Sequence, residues 1–426
     1  MIHGNGLIQF DGYKFLNAPP FFVWILVPGF LMGSNPFVWA FVLNLIFMNL
    51  SFFLVYKLAK KALGESNAIL GLAFCLTGYW AFTHAFQMLL SESVFIALQL
   101  LFVVKLEEDI KHQNQMLWSS IFLAGVCATR YAGLMMIPGL LTFLIIQKVS
   151  MKRIVFFISP TVIATALWGL RNYLVSGSFL GGHELERKVN FTAIFQNISN
   201  LDWRLKLVFA LVSAAIISTL WFGKTWSNVF KICLLMAGSY WLLLMLQSGI
   251  NMNQMPRYLC IIEFLVSLVL LEIISFIIPQ MLYQNIFWGI LLALKLVFMG
   301  EKVSANMVYG AGGFHSSKWQ NTEMIMKLQN VDVGPYLSNF PDHVYWIKQA
   351  SCAYFRFKDE SESSFLSRVP KEGKIIWFRT AGREAVIQGI ESLGQGYSQT
   401  QIDSCEWYYL VNFTASRPSK PSSFYK

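Results

Sequence analysis

Residues 154–177 read IVFFISPTVIATALWGLRNYLVSG. No charge interrupts this run between Arg153 and Arg171, and then Arg171 is followed at once by Asn172 and Tyr173. A bilayer-spanning helix needs roughly 20 mostly apolar residues. The stretch is therefore a membrane span over 154–174 that ends on an arginine. The same pattern recurs along the first three hundred residues. Candidate spans cover 20–33, 37–56, 67–83, 93–106, 117–128, 131–147, 154–174, 205–222, 228–247, 257–278 and 283–300. The chain is 55% hydrophobic and 13% charged, about half the charge content of a soluble protein. The fold class is a polytopic α-helical membrane protein with about 10–11 membrane helices or half-helices. The pair 117–128 and 131–147, broken by ATRYAG, reads as two tilted or half-spanning helices, because broken helices are tolerated where they line a cavity.

Charge placement orients these spans. The net charge of +10 would suggest nucleic acid in a soluble protein. No basic-aromatic nucleic-acid module is present, and nucleic acid is not expected as a partner. Lys57, Lys60 and Lys61 follow the second span, and Lys105 and Lys111 the fourth. Lys148, Lys152 and Arg153 follow the sixth, and Lys224 the eighth. With alternating helices all of them fall on one face, cytoplasmic by the positive-inside rule. The opposite face receives the helix ends carrying Arg130, Arg171 and Arg257. A lone terminal arginine snorkels to headgroups. Three of them on the face that should be depleted of basic residues are a different matter. The planar guanidinium suits bidentate phosphate binding, and this points to an outer cavity that takes a phosphate-bearing lipid.

Acidic residues on that face are few: Asp11, Glu92, Glu184 and Glu186. A carboxylate there can serve as general base toward a hydroxyl acceptor. Glu92 has a plainer reading as a first-turn residue favoured by the helix dipole, with Ser91 or Ser93 as cap. Glu184 and Glu186 read as solvated loop residues. Glu263 and Glu272 lie nine residues apart within the tenth span, on opposite helix faces. Glu263 is placed toward the cavity and Glu272 at the inner end. The six histidines show no metal-binding spacing. No cofactor is required, although a divalent cation bridging a lipid phosphate to carboxylates is compatible with the sequence. Cys75, Cys127, Cys233 and Cys260 sit in apolar runs as small hydrophobes. Cys352 and Cys405 either pair in an oxidising compartment or stay free.

From about residue 301 the pattern changes. YLSNFPDHVYWIK, CAYFRF, GKIIWFRT and CEWYYLVNF read as strand-like segments and GREAVIQGIESL as helical. A small soluble α/β domain over 301–426 is expected. The GAGG at 310–313 lacks the residues of a phosphate loop. The domains expected are thus an outer segment 1–19, a membrane domain 20–300 and the α/β tail.

The ordered motifs NAPPFFVWILVPGFLMG (17–33), LLSESVFIAL (89–98), GVCATRYAGLMMIPG (125–139), ALWGLRNYLVSGSFLGG (166–182) and MPRYL (255–259) resemble GT-C membrane glycosyltransferases. The nearest group is the bacterial one related to protein O-mannosyltransferases and lipid A aminoarabinose transferases. The tail, SKWQNTEMIMKL followed by YLSNFPDHVYWI, is similar to the periplasmic domain of such proteins. The resemblance implies a polyprenyl-phosphate sugar donor, a glycan, lipid or protein acceptor, and catalysis on the extracytoplasmic face of the bacterial inner membrane. It implies that Arg171 and Arg257 approach the donor phosphate, with Arg130 nearby, and that Glu92 acts toward the acceptor. Tyr131, Asn172, Tyr258 and Glu263 then line the cavity.

Members of that group carry a first helix and a long outer loop with an essential acidic residue. Here the sequence starts near the end of that loop. Asp11 is the catalytic candidate nearest to it, but it stands late for that base, and the expectation is that an upstream helix and acidic loop are missing. Rival functions differ in what they require. A polysaccharide polymerase or ligase calls for a larger outer loop than 175–204, and a transporter calls for internal repeats or midplane charges, while the missing acidic loop is what would fit a non-catalytic subunit.

Overall fold

The computed structural model describes residues 19–32, 36–64, 91–112, 115–177, 191–200, 226–247 and 255–277, isolated residues between these, and five strands after residue 335. The chain divides into two compact units, Leu16–Val303 and Ser304–Lys426 with Met1–Phe15.

In the first unit the described helices are α1 (Phe21–Leu31), α2 (Pro36–Leu63), α3 (Glu92–Lys111), α4 (Leu117–Thr129), α5 (Ile137–Ile146), α6 (Met151–Ser176), α7 (Phe191–Asn200), α8 (Asn228–Met245) and α9 (Met255–Ile277). Among the described residues, four segments are long and apolar enough to cross a bilayer: Val38–Lys61, Met151–Val175, Asn228–Met245 and Tyr258–Phe276. The protein is an integral membrane protein. Burial separates these four into two kinds. The α8 and α9 windows are 61% buried, against 22% in α2 and 28% in α6. So α8 and α9 form the centre, together with α3, whose Phe95, Phe102 and Leu106 are fully buried. The α2 and α6 helices present Phe41, Ile46, Phe53, Val155, Ile163 and Leu174 outward, which is a lipid-facing surface. Cys127, Cys233 and Cys260 are buried.

Side-chain bonds fix which helix ends lie together. Ser119 at the start of α4 donates to Asp109 near the end of α3 at 2.8 Å, and Ser120 donates to the carbonyl of Phe157 in α6 at 2.6 Å. Gln147, after α5, donates to Asn228 at the start of α8. Ser227 caps α8 by accepting from the Phe230 amide and donates from both its own amide and its hydroxyl to Glu272 of α9. Glu272 at the inner end is therefore a bonded structural group. The Lys57–Glu108, Lys61–Glu107 and Lys105–Glu108 ion pairs lie at this same lysine-rich end.

Hydrogen bonds from Lys105 first and then Lys57 hold the Glu108 carboxyl, which lies beyond the apolar stretch 93–106, below the usual carboxylate range. Its contribution to stability is present above the unfolded carboxylate value and is lost as pH falls through the lowered folded value. The melting temperature in detergent should therefore drop on that acid side. Glu108→Gln should flatten the drop while leaving the neutral-side slope alone.

The break expected at ATRYAG is present. Arg130 ends α4 in an extended conformation (φ −151°, ψ 139°). A 3-10 segment follows, Tyr131–Met136, and then α5 begins with Pro138 in its first turn. Proline suits that position because its missing N–H would be unbonded there anyway. Gly139 lets α5 pack directly on α8: a β-carbon at this position would overlap the Leu235 carbonyl oxygen. The segment 175–204, expected as an outer loop, contains the ten-residue α7. Ile194 and Ile198, four apart, pack against the core, while Asn197 donates to the carbonyls of Met245 and Gln247 at the end of α8.

In the second unit five strands form one sheet: β1 (Tyr336–Ser338), β2 (Cys352–Tyr354), β3 (Glu372–Phe378), β4 (Tyr397–Ser404) and β5 (Tyr408–Ala415). Their order is β2-β1-β3-β5-β4. The β1 strand pairs in parallel with both β2 and β3, and β5 pairs antiparallel with β3 and β4. Tyr336 and Ile376 are buried. The four strand-like sequences each contribute a strand. The β4 strand, YSQTQIDS, escapes the apolar pattern because it is a polar edge strand, a common way to blunt an open sheet edge. The helical segments expected between the strands lie outside the described residues.

Candidate active site at the arginine-bearing helix ends

Opposite the lysine-rich end, the start of α3 meets the end of α4. Arg130 Nη1 lies 2.6 Å from Glu92 Oε1, with the Glu92 side chain fully buried and that of Arg130 17% exposed. The same nitrogen donates to Ser91 Oγ at 3.2 Å. Ser91 occupies the N-cap position of α3, but its side chain caps nothing; its hydroxyl faces the guanidinium. A buried carboxylate without a partner is strongly disfavoured. Arg130, carried just past the last turn of α4 by its extended backbone, supplies that partner.

A second polar group adjoins the first through the chain itself. Tyr131 accepts a hydrogen bond on its hydroxyl from Trp168 Nε1 at 2.9 Å. The Arg171 guanidinium lies over the Trp168 ring, 4.7 Å from its centroid, and donates to Asn172 Oδ1 at 3.0 Å. Stacking on an indole face holds an arginine while leaving its N–H edge available. Arg130 and Arg171 are thus linked through neighbouring Tyr131 and the indole of Trp168.

Arg257 is the third residue of α9, and its side chain lies outside the described residues. The turn that carries it is anchored: buried Tyr240 of α8 donates from its hydroxyl to the Tyr258 carbonyl at 3.0 Å. Glu263 is half-buried two turns along α9. Asp11, His84, His183, Glu184 and Glu186 lie outside the described residues. Among the described residues no three His, Cys, Asp or Glu side chains come together to hold a metal. The Glu92–Arg130 pair, the indole shelf under Arg171 and the Tyr240 anchor were not foreseen from the sequence. Only the i, i+3 spacing of Trp168 and Arg171 carried a signal for any of them.

This arrangement can be compared with solved structures. The apo-state crystal structure of ArnT from Cupriavidus metallidurans matches with a TM-score of 0.59 at 12% identity, over 98% of this chain and 91% of that one. The chain shares the fold of that protein. The crystal structure of the same ArnT bound to undecaprenyl phosphate matches with a TM-score of 0.56 at 12% identity, over 99% of this chain and 92% of that one. Residues 17–169 match the sequence model of the family described as dolichyl-phosphate-mannose-protein mannosyltransferase. No curated protein gives a significant sequence match. The GT-C resemblance drawn from the ordered motifs therefore agrees with both the fold and the family match. That match covers α1 to most of α6, including Glu92 and Arg130, and ends two residues before Arg171.

Proposed function

We propose that this GT-C protein transfers a sugar from a polyprenyl-phosphate-linked donor to an acceptor at the extracytoplasmic membrane face. The observation that carries the reading is the gathering of Arg130 and Arg171 around Tyr131 and Trp168, at the end opposite the lysines. The binding of undecaprenyl phosphate by ArnT lends support to a lipid phosphate as the ligand of these arginines. In this reading Arg171 and Arg257 hold the donor phosphate, with Arg130 beside them. An acceptor hydroxyl attacks the anomeric carbon from the side opposite the phosphate and gives up its proton to a carboxylate base, Glu92 or Asp11. The bond from that carbon to the phosphate oxygen breaks, the phosphate keeps the electron pair, and the anomeric centre inverts. Arginines fixed before the reaction stabilise the charge that develops on the leaving phosphate.

Glu92 has two tasks in the proposal. It orients or activates the acceptor, as the resemblance implies, and it holds the Arg130 guanidinium in place. Asp11 remains the other acidic candidate. Tyr131, Asn172, Tyr258 and Glu263 shape the cavity, and the strand-bearing tail is read as an extracytoplasmic α/β domain.

The test is photo-crosslinking of a labelled undecaprenyl-phosphate sugar analogue to membranes with matched expression of wild type and Arg171→Ala. A hydrogen bond from a charged group contributes about 1.5–3 kcal/mol, so labelling should fall about tenfold or more in the variant. Equal labelling of both would make Arg171 an interfacial anchor. The absence of labelling in either would remove the lipid-phosphate donor from the proposal.

A further inference from the structure

The lysine-rich end holds a second polar construction that sugar transfer does not use. The last turns of α2 and α3 lie side by side, joined by Lys57–Glu108 at 2.8 Å and by Lys61–Glu107. Lys105 reaches the other oxygen of Glu108 at 2.6 Å. Between these turns is an open cleft of about 220 Å³, lined by Lys57, Lys61, Lys111 and His112 together with the two glutamates. Leu58 and Val104 give it an apolar floor.

Three features separate this cleft from an ordinary run of topology-setting lysines. It is concave, whereas a positive-inside signal needs only charge on a loop. Its carboxylates are already matched by lysines, so they hold lysine chains in place and add little net repulsion for an anion. Lys111 at the rim is exposed and makes no ion pair among the described residues. The depth is also defined. Phe53, 63% exposed on the lipid-facing side of α2, is one turn from Lys57 on the same helix face. Hydrocarbon surface gives way to the cleft within that turn, at the level of the headgroups.

From this geometry we infer that the cleft binds the phosphodiester headgroup of an anionic phospholipid from the leaflet at the lysine-rich end. Cations around the rim meet the phosphate, and the floor of Leu58 and Val104 accepts the glycerol and upper acyl carbons. Basic pockets between membrane helices recognise anionic headgroups in this manner. A free phosphate would satisfy the same cations but would gain nothing from the apolar floor. The inference is independent of the transfer reaction.

The experiment uses the full chain purified in detergent. Retained lipid is measured by native mass spectrometry against phosphatidylglycerol and phosphatidylcholine of equal acyl length. Phosphatidylglycerol should be retained preferentially. Lys111→Gln should weaken its retention about fivefold, the effect of one surface lysine near an anionic headgroup, and Lys57→Gln/Lys111→Gln should weaken it further. Lys152→Gln, an exposed lysine of the same end but on α6, should change nothing. Inorganic phosphate at millimolar concentration should not displace the lipid. Equal retention of both lipids, or an equal loss in Lys111→Gln and Lys152→Gln, would overturn the inference. Displacement by inorganic phosphate would overturn it in favour of a free-phosphate site. Lys111 is exposed, so its single variant keeps the test valid even where the double variant fails to fold.

Discussion

Arg130→Met should cost the protein about 3–5 kcal/mol of stability, the usual penalty for removing one member of a buried ion pair. The Glu92 side chain is fully buried and its Oε1 meets Arg130 at 2.6 Å. Once the guanidinium is gone, the buried carboxylate loses the charged group that meets it at this helix junction. The size of the effect separates this pair from the exposed Lys57–Glu108 pair, since surface ion pairs contribute only about 0–1 kcal/mol. Glu92→Gln/Arg130→Met should recover most of the loss, because replacing both members removes the buried charge that Arg130 balances. Unfolding in a mixed-micelle SDS titration would measure all four proteins of the cycle. A single-variant cost below about 1 kcal/mol would mean that water reaches Glu92 and that the pair does not organise this end of the fold.

Gly139→Val should be the most damaging single substitution in the α5–α8 interface. A β-carbon at 139 has no room: the Leu235 carbonyl oxygen already occupies its position, and Ser239 Oγ is 2.7 Å away. The obstructing atom is backbone in a central helix, so no rotamer change relieves it. Overpacking of this kind typically costs 1–3 kcal/mol, and here the expected loss is about 3 kcal/mol or more. Gly125 supplies the control, because a β-carbon there would meet Leu98 Cδ1 at an ordinary 3.5 Å. Gly125→Ala should express and run as a single species on size exclusion. Gly139→Val should yield little folded protein. Normal yield and melting temperature in Gly139→Val would show that α5 and α8 are free to separate.

The sequence made the helical unit legible because membrane helices are set by apolar length and by the loop charges between them. Both were readable at 154–174 and in the lysine clusters. The ATRYAG break was legible for a similar reason: Arg130, Gly133 and Pro138 punctuate an otherwise apolar run. The α7 helix was not legible, because FTAIFQNISN is too short and too polar to stand out. Its stability comes from the core contacts of Ile194 and Ile198 and the bonds of Asn197 to α8. The polar β4 strand is defined by its partner β5 in the same way. At the candidate site, the residue types and their common end were readable, but their pairings were not. Glu92 and Arg130 are 38 positions apart in the sequence, and no local pattern announces that one will neutralise the other.

The break after α4 also has a consequence for the surrounding lipid. With 13 residues at 1.5 Å each, α4 reaches about 20 Å even when upright. The hydrocarbon layer is about 30 Å thick. Starting from the lysine-rich boundary, α4 stops about 10 Å short of the other one, and there Arg130 begins the turn into α5. The remaining depth can be met by local thinning of the bilayer, by water descending above the hairpin, or by the longer neighbouring helices. In each case, Arg130 sits below the general plane of the headgroups without being immersed in hydrocarbon, because the short helix leaves protein or water above it.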